Sequence, residues 1–195
     1  MERIVLTTSQ KALKINLNEN IYGTFAEIGA GQEVVRHFFR AGGASGTVAK
    51  TMSAYDKDFS DAIYGREIDG RYVTENRLRK MLEHEYNLIE QRLSRDKFPD
   101  KRYFTFSNTV ATINFTRKFK GHGWMGIRFQ LEPDQEPNDV IFHIRMKEEE
   151  AYLQQETIGI MGVNLIYGCF HIRNNAEELL RSLYDNIAKY KIEID

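Results

Sequence analysis

Cysteine, proline and long apolar runs are scarce in this chain of 195 residues. The single cysteine, Cys169, excludes an internal disulfide, which is typical of proteins from a reducing compartment. The longest mostly apolar stretch, residues 157–170, is too short to cross a bilayer as a helix and contains three glycines. The first residues lack the apolar segment of a signal peptide. We therefore expect a cytoplasmic protein without a membrane-spanning segment.

An excess of either charge is also lacking. The chain has 27 basic and 28 acidic side chains, which gives a net charge of −1. No overall field would attract nucleic acid or an anionic membrane surface, so either partner would need a local patch of charge. We therefore expect no membrane partner, and the sequence does not favour nucleic acid.

Glycine is concentrated near the start, because residues 22–56 contain six of the 14 glycines. A strand is predicted at residues 22–28, a turn at Gly29-Ala30-Gly31, and a helix over residues 32–40 that ends at Gly42-Gly43. A second strand is predicted after that stop. This order of strand, glycine turn, helix and strand favours an α/β fold.

The remaining pattern adds both strands and helices. Alternation of Leu13, Ile15 and Leu17 predicts an early strand. The later elements predicted are a helix over residues 74–93 with Thr74 as its N-cap, a central β meander within residues 102–146, helices over residues 147–167 and 176–189, and an edge strand or tail at residues 190–195. We predict a mixed α/β domain over residues 1–195, with a Rossmann-like arrangement as one form of this class. Because a new alternation stops at the last residue, we expect the domain to be the N-terminal part of a longer protein.

The Gly29-Ala30-Gly31 turn is the first candidate ligand site. Unpaired backbone donors and the dipole at a helix N-terminus favour an anion such as phosphate, and residues without bulky side chains let it approach. The dinucleotide fingerprint G-x-G-x-x-G departs here at Val34, and the strand expected before Asp56 is polar for a central parallel strand. Glycines that serve only turns and close packing are the alternative interpretation.

The next segment, "GTVAKTMSAYDKDFSD", supplies further polar candidates. Lys50, Thr51 and Ser53 could bind phosphate, and Asp56 lies where an acid that binds a ribose is expected. The aspartate spacings do not match an EF-hand, and the five histidines lack metal-ligand spacing, so no metal site is predicted.

The segment "RKFKGHGWMGIRFQ", residues 117–130, is the second glycine-rich candidate. Its basic side chains and Trp124 could hold a planar anion by stacking and charge-assisted hydrogen bonds. The alternative is a hairpin turn with Trp124 in the core. We predict that Lys50, Asp56, His122 and Arg128 converge beside the Gly29-to-Gly31 backbone, with His122 and Asp56 as catalytic groups.

Two resemblances to known families rest on quoted motifs. Gly23-Thr24-Phe25 and Gly31 match positions of the opening motif of nicotinate-nucleotide adenylyltransferases, but Gly29 and Gln32 stand where that family has its two histidines. A broader resemblance, through "FAEIGAGQEV", "GTVAKTMSAYDKDFSDAIYG", "GHGWMGIRFQ" and "GVNLIYG", is to a bacterial family whose members carry inconsistent labels, among them "nicotinate-nucleotide adenylyltransferase" and "TonB-dependent receptor". That resemblance implies a shared fold and no particular activity.

The functional hypothesis combines the two glycine-rich segments. It is a bacterial enzyme domain that binds a phosphorylated or nucleotide-like ligand between Gly29-Ala30-Gly31 and the loop before Trp124, with no cofactor specified by any motif. The alternative is a non-catalytic assembly or interaction module whose glycines serve packing.

Overall fold

The computed structural model describes residues 3–188 and 190–195. The strands are β1 (Ile21–Gly29), β2 (Val48–Ala54), β3 (Arg102–Ala111), β4 (His122–Phe129), β5 (Asn138–Met146) and β6 (Ile192–Ile194). The helices are α1 (Thr8–Asn16), α2 (Val34–Ala41), α3 (Lys57–Tyr64), α4 (Glu75–Arg92), α5 (Ala151–His171) and α6 (Ala176–Ser182), with a 3-10 turn at Ala44–Gly46. These elements confirm the mixed α/β class.

All six strands form one sheet in the order β2-β1-β3-β4-β5-β6. β1 pairs in parallel with both β2 and β3, and the remaining pairs are antiparallel. The Rossmann order 3-2-1-4-5-6 is parallel throughout, so the strand order here is different. β2 lies at an edge, which explains why its sequence is too polar for a central parallel strand.

Helices cover both faces of the sheet. α1, α2 and α5 pack on one face, where they bury an apolar core that includes Phe25, Phe106 and Ile158. α3 and α4 pack on the other face, over smaller apolar clusters that include Ala26 and Tyr103. Among the described residues, no helix is both long and apolar enough to span a bilayer.

The prediction of an early strand at Leu13, Ile15 and Leu17 is wrong, because these residues lie in and just after helix α1. Thr7 caps that helix in a capping box with Gln10, and such a local signal fixes a helix start. Ile15 is buried, whereas Leu17 is exposed, so the alternation does not mark one buried strand face.

Most other elements are where the pattern predicts them. The Thr74 hydroxyl caps α4 by accepting from the Arg77 backbone N–H at 3.1 Å. The meander β3-β4-β5 is present, and α5 and α6 follow it. The predicted end of the last helix, Lys189, lies outside the described residues. β6 pairs with β5 at the edge of the sheet, as expected for residues 190–195. Helix α3 was not predicted.

Candidate functional site

The loops after the three parallel strands lie at the same end of the sheet, the end where these strands finish. β1, β2 and β3 run in the same direction, so the turn after Gly29, the segment after Ala54 and the loop of residues 112–121 all begin at their carboxyl ends. Open α/β sheets bind ligands outside the carboxyl ends of their strands. The candidate site therefore lies at this end of the molecule.

The N-terminus of α2 is already occupied by a carboxylate of the chain itself. The backbone N–H of Val34 donates to Glu27 Oε2 at 3.1 Å, and that of Val35 donates to Glu27 Oε1 at 3.0 Å. The Asn108 amide donates to Glu27 Oε2 at 3.3 Å and to the Gly31 carbonyl at 2.9 Å. Two of the backbone donors that would hold an external phosphate are therefore engaged by Glu27.

Glycine is required at both ends of this turn for reasons of space. Gly29 has a φ of 75°, in the left-handed region, and a Cβ there would collide with the Val110 carbonyl. A Cβ on Gly31 would collide with the buried side-chain amide of Asn108. Ala30 donates its N–H to the Val110 carbonyl at 3.1 Å, which joins the ends of β1 and β3.

Burial raises the pKa of the Glu27 carboxyl to about 7, although its hydrogen bonds with Val35, Val34 and Asn108 act in the opposite direction. Glu27 is 2% exposed, so loss of water around the charged form is the dominant cause. The group therefore exchanges a proton near neutral pH while remaining inside the molecule.

The loop after β3 is different, because it lies open to solvent. All six residues 115–120 are exposed. A turn holds the loop: Asn114 accepts the Arg117 N–H at its carbonyl at 2.8 Å and the Lys118 N–H at its side chain at 3.0 Å, and Arg117 has a φ of 55°.

A cavity of about 480 Å³ lies behind this loop, between it and the start of α5. Its lining consists of Ile113, Arg117, Lys120, Met146, Lys147, Glu148, Glu149 and Gln154. Gly121 lies directly against two of these lining side chains, because a Cβ there would meet the ends of Gln154 and Met146. Gln154 fixes the wall by accepting the Ile113 N–H at 2.7 Å and donating to the Glu148 carbonyl at 2.7 Å.

Charges of both signs surround this cavity. Arg117 pairs with Glu150 at 2.5 Å, and Lys147 pairs with Glu193 at 3.1 Å. Glu148 is held by Lys191 at 2.8 Å. Within the part of the chain that the structure describes, Lys120 has no ion-pair partner, and it directly precedes Gly121 and is exposed.

His122 and Trp124 lie on the opposite face of β4 from the apolar core, in a cluster with His143 of β5. His122 Nδ1 is 3.2 Å from His143 Nε2, and the rings of Trp124 and His143 are 5.1 Å apart. Burial, followed by the charges of His143 and Arg145, lowers the pKa of His122. This shift favours the neutral form of the His122 imidazole. Trp124 is half-buried, between the two predicted alternatives of an exposed stacking platform and a core residue.

Arg128 is remote from His122 although both lie on β4 and on one face. His122 pairs with Ala111 and Arg128 pairs with Thr105, so six residues, or about 20 Å of strand, separate them. Arg128 donates to both oxygens of Asp139, at 2.8 and 2.7 Å. Arg128 lines a different cleft of about 390 Å³, at the opposite end of β4 from His122.

The candidates on and after β2 are also separate from the histidine cluster. Lys50 points toward α4, where it forms an ion pair with the buried Glu85, which also accepts from the Tyr64 hydroxyl at 2.8 Å. Thr51 and Ser53 point to the opposite side of this edge strand and are exposed. Binding by these two residues stays a prediction.

Asp56 has a structural partner too, because its side chain caps α3 by accepting the Phe59 N–H at 2.9 Å. It follows β2, while His122 begins β4, and β1 and β3 lie between them. Lys50, Asp56, His122 and Arg128 therefore do not meet in one cleft. Among the described residues, no three His, Cys, Asp or Glu side chains are grouped as a metal site.

The residues that organise the carboxyl ends of the parallel strands are not among the residues that the sequence predicts for a site. Glu27 carried a usable signal, since it is an acid within an otherwise apolar strand segment directly before the glycine turn. Asn108, Lys147 and Gln154 carried none, because their partners are distant in sequence.

The fold and this edge define a class: a three-layer α/β protein with a six-stranded mixed sheet and loops of contrasting character at the carboxyl ends of its parallel strands. Solved structures of this class include a competence-damaged protein (CinA) superfamily protein from Klebsiella pneumoniae, with a TM-score of 0.56 and 8% identity, over 89% of this chain and 96% of that one. A competence or damage-inducible protein from Enterobacter asburiae matches with a TM-score of 0.52 and 10% identity, over 84% and 98%. The competence/damage inducible protein CihA from Agrobacterium tumefaciens matches with a TM-score of 0.50 and 12% identity, over 93% and 99%.

At these identities the likeness establishes the fold alone. Neither label of the resembling family, nicotinate-nucleotide adenylyltransferase or TonB-dependent receptor, describes these three structures. No family model matches the chain, and no curated protein is significantly similar to it in sequence.

Proposed function

We propose that this protein binds a phosphorylated, nucleotide-like small molecule in the cavity between the loop of residues 112–121 and the start of α5. The observation that carries the proposal is the lining of that cavity. Lys120 supplies a cation without an ion-pair partner among the described residues, and Arg117 and Lys147 are held only in exposed ion pairs, which are weak and can be replaced by phosphate oxygens. Ile113 and Met146 supply apolar surface for a planar group.

The acids of the cavity fit such a ligand in part. Glu148 is neutralised by Lys191, so it adds little repulsion toward a phosphate. Glu149 is exposed and could accept a hydrogen bond from a ligand hydroxyl, as acids do from ribose. The position of the cavity, at the carboxyl ends of the parallel strands, is where α/β folds bind ligands.

The proposal is one of binding, not of a particular reaction. The lining side chains include no Ser, Cys or His that could act as a nucleophile or a neutral base. His122 directly follows Gly121, but it lies on the face of β4 turned away from the apolar core and does not line the cavity. Contacts from Gly29, Ala30 and Gly31 to a ligand stay predictions, since Glu27 holds two donors of α2.

Calorimetry and thermal shift with AMP, ATP, NAD, glucose 6-phosphate and inorganic phosphate test the proposal. We expect one of these ligands to stabilise the protein and the double variant Lys120→Ala, Lys147→Ala to bind it at least tenfold more weakly. Lys97→Ala is the matched control, because Lys97 is an exposed lysine in the loop before β3, at the opposite edge. No stabilisation by any of the ligands, or an equal loss in the control, would contradict the proposal.

The alternative function, a non-catalytic interaction module, is favoured by a different observation. Several large apolar side chains that follow the carboxyl ends of the parallel strands are exposed: Tyr55, Phe115 and Phe119 in loops and Phe59 in the first turn of α3. Exposed apolar groups of this kind occur at sites that contact partners.

A further inference from the structure

The tip of the loop after β3 combines two features that rarely occur together on a surface exposed only to water. Phe115 is 102% exposed and Phe119 is 71% exposed, so nearly all of both rings contacts solvent. Arg117, Lys118 and Lys120 lie between and beside them, and all are exposed. We call residues 115–120 the aromatic-basic tip.

No acidic residue accompanies the tip in the sequence. Residues 101–131 contain neither aspartate nor glutamate, although the whole chain has 28 acidic side chains. Within the described residues, only Arg117 of the three tip cations has an acidic partner, the exposed Glu150. Glu148 and Glu149 line the adjacent cavity, so the net positive charge of the tip comes from Lys118 and Lys120, which have no ion-pair partner among the described residues. These two exposed cations give a nearly neutral chain the local positive charge that it needs to approach an anionic surface.

The backbone of the tip is held in place before any partner arrives. The Asn114 side chain accepts the Lys118 N–H at 3.0 Å and the Thr116 hydroxyl at 3.2 Å, and the Asn114 carbonyl accepts the Arg117 N–H. Because the turn is already formed, less conformational entropy is lost when the rings are buried.

We infer that the aromatic-basic tip docks the protein on the surface of a lipid bilayer that contains anionic lipids. Phe115 and Phe119 enter the boundary between headgroups and acyl chains, while Arg117, Lys118 and Lys120 remain among the headgroup phosphates. Peripheral proteins bind at this boundary with apolar side chains that insert into it and neighbouring basic side chains that contact the headgroups.

A lipid surface fits the tip better than single-stranded nucleic acid. Sites for single strands align aromatic rings along a groove, so that successive bases stack on them. Phe115 and Phe119 do not line the adjacent cavity, and they protrude from a turn rather than lie on a sheet. Protruding rings favour insertion into a soft surface.

Sedimentation with vesicles tests the inference directly. We expect the protein to bind vesicles of phosphatidylcholine mixed with phosphatidylglycerol, to bind vesicles of phosphatidylcholine alone at least tenfold more weakly, and to be released by salt. Phe115→Ser with Phe119→Ser should reduce binding to anionic vesicles at least tenfold. Phe39→Ser is the matched control, since Phe39 is half-exposed on α2 and far from the tip in the chain.

A second measurement detects insertion itself. Trp124 is the only tryptophan, so the variant Phe119→Trp in a Trp124→Phe background reports from the tip alone. We expect brominated acyl chains to quench its fluorescence. Binding to oligothymidylate without binding to vesicles, vesicle binding that survives the double serine variant, or an unquenched tryptophan on bound vesicles would each overturn the inference.

The ligand site and the docking surface can fail separately. Lys147 lines the cavity but lies outside the tip, so Lys147→Ala should weaken binding of the soluble phosphorylated ligand and leave vesicle binding within about twofold.

Discussion

The two glycine-rich segments of this chain differ in how far they are closed to solvent. In the first, Gly29 and Gly31 allow backbone and side chains to close around Glu27, and the helix N-terminus is satisfied from within. In the second, Gly121 also lies against a buried side-chain amide, that of Gln154, but the loop before it stays exposed, with a cavity behind it. Similar composition therefore produced a closed turn in one place and an open loop in the other. The difference depends on contacts with elements distant in sequence, such as that of Asn108 with Glu27.

The largest effect is expected from Gly31→Val. A branched side chain would collide with Asn108, which is fully buried and holds both Glu27 and the Gly31 carbonyl. Overpacking together with a broken buried network should cost about 3 kcal/mol or more in the free energy of unfolding, measured by urea denaturation. Gly46→Ala is the control, because a Cβ there meets nothing closer than 4.0 Å. Unchanged stability of Gly31→Val would show that the turn is not closed by packing.

Glu27 should make stability depend on pH. Its pKa is raised from 4.5 to about 7 in the folded protein, so the folded state keeps its proton at pH values where the unfolded state has lost it. This contribution to stability is fully present below about pH 4.5 and is lost as the pH rises through about 7. Its size is on the order of 3 kcal/mol. In Glu27→Gln this part of the pH dependence should disappear, whereas exposed Glu19→Gln should retain it. Parallel stability curves for the wild type and Glu27→Gln would refute the assignment.

Gly121→Ala should cost less than the change at Gly31, about 1–2 kcal/mol. A Cβ would meet the ends of the Met146 and Gln154 side chains, and Gln154 would have to shift its hydrogen bonds to the Ile113 N–H and the Glu148 carbonyl. The cost stays below that of Gly31→Val because alanine adds one carbon where valine adds three. Urea denaturation measures the cost, and crystallography or ligand titration reports whether the cavity narrows. A loss as large as that of Gly31→Val would remove the distinction between the two segments.

The smallest effect is expected from Phe119→Ser, because its ring lies in solvent. The free energy of unfolding, measured by urea denaturation, should be unchanged within about 0.5 kcal/mol. A larger loss would place the ring in the fold rather than on a docking surface.

Elements with local signals could be predicted from the sequence, and contacts between distant strands could not. Thr74 and the apolar stripe after it fix α4 within the segment itself, so the predicted and observed helices agree. The Thr7 capping box was an equally local signal for α1, and the alternation of Leu13, Ile15 and Leu17 obscured it. The prediction that four residues would share a cleft depended on strand order, which places Lys50 on β2 and Arg128 on β4.

The position of β2 and the contacts of Glu27 show the same difference between local signals and distant contacts. The polarity of β2 indicated that it was no central strand, and it is an edge strand. That Glu27 would fill the α2 N-terminus depended on β3 bringing Asn108 beside it, and no pattern within residues 22–40 encodes that contact.

The position of β1 in the sheet has a consequence for the order in which the chain folds. β3, β4 and β5 are consecutive in sequence and adjacent in space, whereas β1 reaches β3 across 81 positions, as between Thr24 and Thr105. Closing so long a loop is slower than forming a meander, so we expect β1 to join late. The burial of Glu27 also needs the α2 N-terminus and the Asn108 amide in place, so we expect it to be completed only after this slow step. Raising the pH toward 8 should then accelerate unfolding and leave the refolding rate nearly constant, which stopped-flow measurements would resolve.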